Sequence, residues 1–96
     1  MIVKNISTAT TTTLIHQDEG KGGIRQITIC NANASNVLTV RLFIDDGTTE
    51  TSIVENLVIP AGVTMLLDHE LGFNNSVYSL QLQTAGTSPD VNVIIK

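Results

Sequence analysis

The chain has 96 residues, 42% hydrophobic and only 15% charged, with a net charge of -4 and one cysteine. That length gives a single domain, residues 1-96, with one core, and the scattered cations Lys4, Lys21, Arg25, Arg41 and Lys96 argue against nucleic acid, which needs clustered Lys and Arg. Cys30 alone can form no intramolecular disulfide, so packing has to hold the fold, as in a reducing cytosol.

The segment Met1 to Thr13 lacks a basic stretch leading into an unbroken apolar run, and nothing later reaches the length of a membrane span. No signal peptide and no membrane partner are expected. Ile2 to Ile6 is the first predicted strand and Thr10 to Ile15 the second, the latter rich in β-branched residues that suit a pleated surface. A Thr-rich strand with little apolar alternation belongs at a sheet edge or against a neighbouring chain, so residues 1-13 read as an arm or edge-strand segment. His16 to Gly23, with three glycines, Asp18, Glu19 and Lys21, is a surface loop.

Ile24 to Asn31 is the third predicted strand, and the Asn and Ser residues of Ala32 to Asn36 form a turn. Leu38, Val40, Leu42 and Ile44 then alternate with Thr39, Arg41 and Phe43, which places the apolar set on one face of a strand. Asp45, Asp46 and Gly47 supply a hairpin reversal, with Thr49 to Val54 as the returning strand. Leu57 to Ile59 runs into the turn at Pro60, Ala61 and Gly62, and Val63 to Leu67 departs from it. His69 to Asn75 is a loop, Val77 to Thr84 a strand, Ala85 to Asp90 a loop and Val91 to Ile95 the last strand. With roughly eight short strands at intervals of about 8 to 12 residues and no helical period, the chain is expected to be all-β. The expected architecture is a two-layer antiparallel β-sandwich, jelly-roll or immunoglobulin-like; pairing order would decide between them.

No cluster of residues demands a chemistry. Asp68, His69 and Glu70, with His16, Asp18 and Glu19 in an earlier loop, are the densest set of metal-ligand types, but neighbours on a strand point to opposite faces and zinc needs convergent ligands. Asp45 and Asp46 are explained by the hairpin turn, without the spacing of a calcium loop. Gly20, Lys21, Gly22 and Gly23 lack the spacing of a phosphate cradle and open a strand. No Ser or Cys lies in a nucleophile elbow, and Cys30 reads as a packing residue. The N-x-S/T triplets at Asn5, Asn33 and Asn74 have no secretory context. No catalytic residue, metal or cofactor is expected.

Several apolar residues fall opposite the main stripe of their strand: Ile24 against Ile27 and Ile29, Phe43 against Leu42 and Ile44, Leu66 against Met65 and Leu67, Ile94 against Val93 and Ile95. Either they are the ordinary scatter of apolar residues on a wet face, or they form a subunit contact patch. Scatter is the more common case, and the low charge content adds weight to the patch. Phe43, Leu66, Ile24 and Ile94, together with Thr11 and Thr13 of the Thr-rich segment, are the candidate interface residues of a homo-oligomer, expected as a trimer.

The run Asn56-Leu-Val-Ile-Pro-Ala-Gly-Val-Thr-Met-Leu-Leu67, continued by Asp68, His69, Glu70 and Leu71 and later by Ser76 to Leu80, resembles a strand, Pro-x-Gly turn and strand unit of small β-sandwich virion proteins of tailed bacteriophages, marine cyanophages in particular. Ile27 to Asp45 is also similar to that group, so the resemblance spans roughly Gly23 to Gln83. It implies a non-enzymatic virion component, assembled in the host cytoplasm, that binds itself and a neighbouring capsid or tail protein as a decoration, neck or tail piece. A carbohydrate-binding or adhesive module is the alternative, weakened by the absence of Trp and the presence of one Tyr.

Overall fold

A computed structural model describes all residues from Met1 to Lys96. Ten strands and no helix are present: β1 (Ile2–Ile6), β2 (Thr11–Ile15), β3 (Gly23–Ile24), β4 (Ile27–Asn31), β5 (Leu38–Asp45), β6 (Glu50–Ile59), β7 (Thr64–Leu67), β8 (Leu71–Gly72), β9 (Ser79–Ala85) and β10 (Val91–Ile95). Sheet A has the order β1-β10-β4-β7 and sheet B the order β2-β9-β5-β6, all pairs antiparallel, while β3 and β8 form a two-residue ladder of their own. With that small ladder set aside, the eight main strands interleave as first-eighth-third-sixth and second-seventh-fourth-fifth. This is the double Greek key of a jelly roll, and it decides against the immunoglobulin alternative.

The two sheets close over one aliphatic core. Sheet A contributes Ile6, Ile27, Ile29, Val91, Val93 and Ile95, and sheet B contributes Leu14, Ile15, Leu38, Val40, Leu42, Ile59, Leu80 and Leu82. In β4 and β10 the buried residues alternate strictly with half-buried ones, the period that a strand with one inward face requires. Leu14 and Ile15 break this rule, being adjacent and both buried. The register between β2 and β9 shifts between Thr13 and Ile15, and that irregularity turns both side chains inward.

Four of the expected strands are drawn differently. The third is interrupted: Ile24 pairs with Leu71, after which the backbone N–H groups of Arg25 and Gln26 both donate to the Lys96 carbonyl at 2.8 and 3.2 Å, and β4 starts at Ile27. Thr49 to Val54 and Leu57 to Ile59 are one bulged strand, β6, whose pairing with β5 shifts register twice and whose Asn56 takes a φ of 50° to absorb the extra residue. The strand expected from Val77 begins at Ser79, because Asn74 closes a turn with the N–H groups of Val77 and Tyr78. The Thr-rich β2 lies at an edge of sheet B, as its composition implied.

All connections fall at two ends. At one, short turns join β1 to β2, β4 to β5, β6 to β7 and β9 to β10. At the other lie the segment from His16 to Gln26, the β5–β6 hairpin and the long β7–β9 loop. A buried asparagine stitches each end. Asn31 Nδ2 donates to the carbonyls of Asn36 and Ile59, both at 2.9 Å, and Asn75 Nδ2 donates to those of His16 and Tyr78, both at 3.0 Å. These bonds leave no buried side-chain polar atom without a partner, as a low-dielectric interior requires.

Candidate functional site

The outward side chains of sheet A follow from its register. Val3 stands beside Ile94, Ile94 beside Thr28, and Thr28 beside Leu66, so one lateral row crosses all four strands. The next row is Asn5, Asn92, Cys30 and Thr64. Val3 is 53% and Leu66 54% exposed, with Ile94 and Thr28 half-buried between them. None of the four strands contains an acidic residue, and their one charged side chain, Lys4, alternates away from the outer rows. The outer face of sheet A is thus uncharged, and its middle row is apolar except at Thr28.

The outer face of sheet B is built differently. Arg41 donates through Nη1 to Glu50 at 2.7 Å and through Nε to Glu55 at 3.0 Å and to Ser52 Oγ at 2.9 Å, while the Ser52 hydroxyl also donates to Glu55. The Glu50 carboxylate, followed by Glu55, holds the Arg41 guanidinium above its ordinary range, and the Ser52 hydroxyl with Arg41 holds Glu55 below the ordinary carboxylate value. Beside this network Thr13 Oγ1 donates to Gln81 Oε1 at 2.9 Å. The face is a charged and amide lattice.

The six interface residues expected from sequence separate on this structure. Leu66 and Ile94 share the apolar row of sheet A. Thr11 is exposed and Thr13 half-buried on β2, with Thr13 already bonded to Gln81. Ile24 is only 3% exposed and belongs to the core, because the break at Arg25 and Gln26 removes it from the alternation of β4. Phe43 points away from the core as its alternation implied, yet it is only 2% exposed; the Arg41 guanidinium lies over its ring, 4.3 Å from the centroid. Neither Ile24 nor Phe43 is a free contact. Cys30, expected as a packing residue, is half-buried on the outer face of sheet A.

Val3 and Thr28 escaped sequence reasoning, since only the register aligns them with Ile94 and Leu66. The Val3 signal was the outward phase of the first strand.

The residues of ligand type lie in the loops of the end that carries the β5–β6 hairpin. The Glu19 carboxylate accepts the N–H of His16 and closes its own loop, Asp46 accepts the N–H groups of Thr48 and Thr49 at 2.9 and 2.7 Å, and those two bonds hold Asp46 below the ordinary aspartate value. No three His, Cys, Asp or Glu side chains converge as metal ligands would. Asn33 and Asn74 spend their carbonyl oxygens on turns, accepting from Ser35 and Asn36 and from Ser76 respectively. The clefts at this end are shallow: about 280 Å³ beside β3 and β8, lined by Arg25, Glu70 and Leu71 among others, and about 220 Å³ between Ile2, Ile15, Lys21 and Lys96.

The sequence matches no family model and no curated protein. Among solved structures, the Anabaena sensory rhodopsin transducer aligns over 99% of this chain and 93% of its own, with 15% identity and a TM-score of 0.42. The structure of infectious bursal disease virus Gt strain aligns over 95% of this chain and 26% of its own, with 13% identity and a TM-score of 0.37. At these values neither likeness bears on function.

Proposed function

We propose that this chain is a non-catalytic structural module of a tailed-phage particle, assembled in the host cytoplasm, which works by associating with itself and by holding a neighbouring capsid or tail protein. The observation that carries the reading is the segregation of charge: the acids sit in loops and on sheet B, while sheet A presents a four-strand row of Val3, Ile94, Thr28 and Leu66 without any charge. An exposed apolar row of this kind favours protein contact, and the phage setting rests on the resemblance of the strand, Pro-x-Gly turn and strand unit around Pro60. The short-turn end supports a building role as well. Asn31, Asn33 and Asn36 tie three of its turns together, Asn33 and Asn36 donating to the Ser88 and Thr87 carbonyls at 2.8 and 3.1 Å, so a partner meets a surface that is already ordered.

The adhesive alternative needs exposed rings on which sugars stack. Phe43 is buried and Phe73 packs against the core, which weighs against it. The test is to purify particles made from the genome that encodes this chain and probe them with an antibody raised against it. Stoichiometric labelling of capsid or tail is expected; absence of the chain from purified particles would overturn the virion assignment.

A further inference from the structure

Resting on that reading of self-association, we infer that two copies of the chain pack sheet A against sheet A about a twofold axis, with the Val3, Ile94, Thr28 and Leu66 rows buried between them. Each copy carries a net charge of -4, so most approaches bring acids together. Sheet A is the exception, since no acid lies in its four strands. Sheet B would set the Arg41, Glu50 and Glu55 network against itself and would have to desolvate it, a cost that ion pairs seldom recover.

Symmetry bears on the assembly as well. The four strands of sheet A, four or five residues each, cover roughly 300 Å² at the usual strand spacings, so the turns around them have to join the contact for it to approach the ~800 Å² per partner of a standard interface. One patch that meets its own copy makes an isologous pair, whereas a ring of three needs two different patches on every chain. The inferred assembly is therefore a pair, where the sequence expectation was a trimer. Sheets packed face to face sit about 10 Å apart, close enough for Leu66 and Val3, both exposed, to bury their side chains in the facing copy.

The test joins mass, substitution and native thiol chemistry. In sedimentation the unmodified protein should have the mass of two chains. Leu66→Asp and Val3→Asp should remain folded by circular dichroism and run as one chain, with association weakened at least about tenfold, while Gln81→Asp on sheet B should leave the pair intact. Cys30, on the same face, gives a readout that needs no substitution: its reaction with an aromatic disulfide reagent should slow several-fold as protein concentration rises through the association range. A pair that persists in folded Leu66→Asp and Val3→Asp, or a Cys30 rate that ignores association, would overturn the sheet A assignment and leave self-association standing. A mass of three chains would overturn the twofold. One chain at millimolar concentration would overturn self-association itself.

Discussion

The Arg41 guanidinium stands 4.3 Å above the centroid of the Phe43 ring, two residues along the same strand and on the same face of sheet B. The ring is thereby taken out of water without entering the core, and the cation over it is itself held by Glu50 and Glu55. An aromatic residue that alternation alone would leave exposed has become part of the fold's outer skin.

The consequence is that Phe43→Asp should destabilise the monomer instead of splitting an oligomer. Phe43→Ala should cost about 3 kcal/mol, the low end for a buried Phe, read as a shifted midpoint in urea. Arg41→Ala should lower the melting temperature by uncovering the ring, and Arg41→Lys should recover only part of the loss, because an ammonium lacks the planar fork that reaches both carboxylates. An Arg41→Ala protein that melts with the unmodified chain would show that the cover is dispensable.

Asn31 is 1% exposed and supplies both N–H donors of its amide to the carbonyls of Asn36, in the turn that follows it, and Ile59, at the end of β6, while its Oδ1 accepts the N–H of Asn33 at 3.2 Å. Replacing it with Leu orphans the Ile59 and Asn36 carbonyls, and buried unsatisfied groups cost about 1–3 kcal/mol each. Asn31→Leu should therefore lose about 2–4 kcal/mol. Asn31→Asp should be worst at neutral pH and partly recover in acid: a carboxyl facing two carbonyls has its folded pKa raised, so the stability it retains is present at low pH and lost as pH rises. Denaturation midpoints at pH 4 and pH 7 would show the sign.

The native carboxylates run the other way. Asp46, held by the Thr49 and Thr48 N–H groups, and Glu55, held by Ser52 and then Arg41, both have lowered folded pKa values, against ordinary values of 3.8 and 4.5. Their contribution is complete above those ordinary values and is lost as pH falls through the lowered ones. Melting temperature should be flat near neutrality and decline in acid, and Asp46→Asn should flatten part of that decline. A variant with the same acid slope as the unmodified protein would remove Asp46 from the account.

Gly22 has no room for a side chain, since a Cβ there would collide with the Phe73 carbonyl oxygen, to which the chain is tied by the Phe73 N–H donating to the Gly22 carbonyl at 2.9 Å. Gly22→Ala should cost about 1–3 kcal/mol through backbone displacement. Gly23→Ala, with open space around it, should cost far less. Equal effects in urea denaturation would mean that the docking of the Phe73 loop is soft.

Strand content and turns were legible in the sequence because both are local. Alternation marked β1, β5 and β10 nearly to the residue, Asp45 to Gly47 marked the hairpin, and Gly62, at a φ of 73°, closes the turn expected at Pro60 with the Val63 N–H donating to the Pro60 carbonyl at 3.1 Å. Alternation also sent Leu66 and Ile94 outward. What it could not tell was where one strand ends and another resumes. The break after Ile24 exists only because the Lys96 carbonyl, some seventy residues away, captures the N–H groups of Arg25 and Gln26, and the bulge at Asn56 exists only against the partner strand β5. Burial of Phe43 likewise needed Arg41 to be held by residues of β6. Pairing order and register are decided by contacts between segments distant in the chain, and a single residue of slip changes which side chains share a row. For that reason the sequence alone established an all-β chain of short strands, while tertiary structure alone established the jelly roll and placed Val3 in line with Ile94, Thr28 and Leu66.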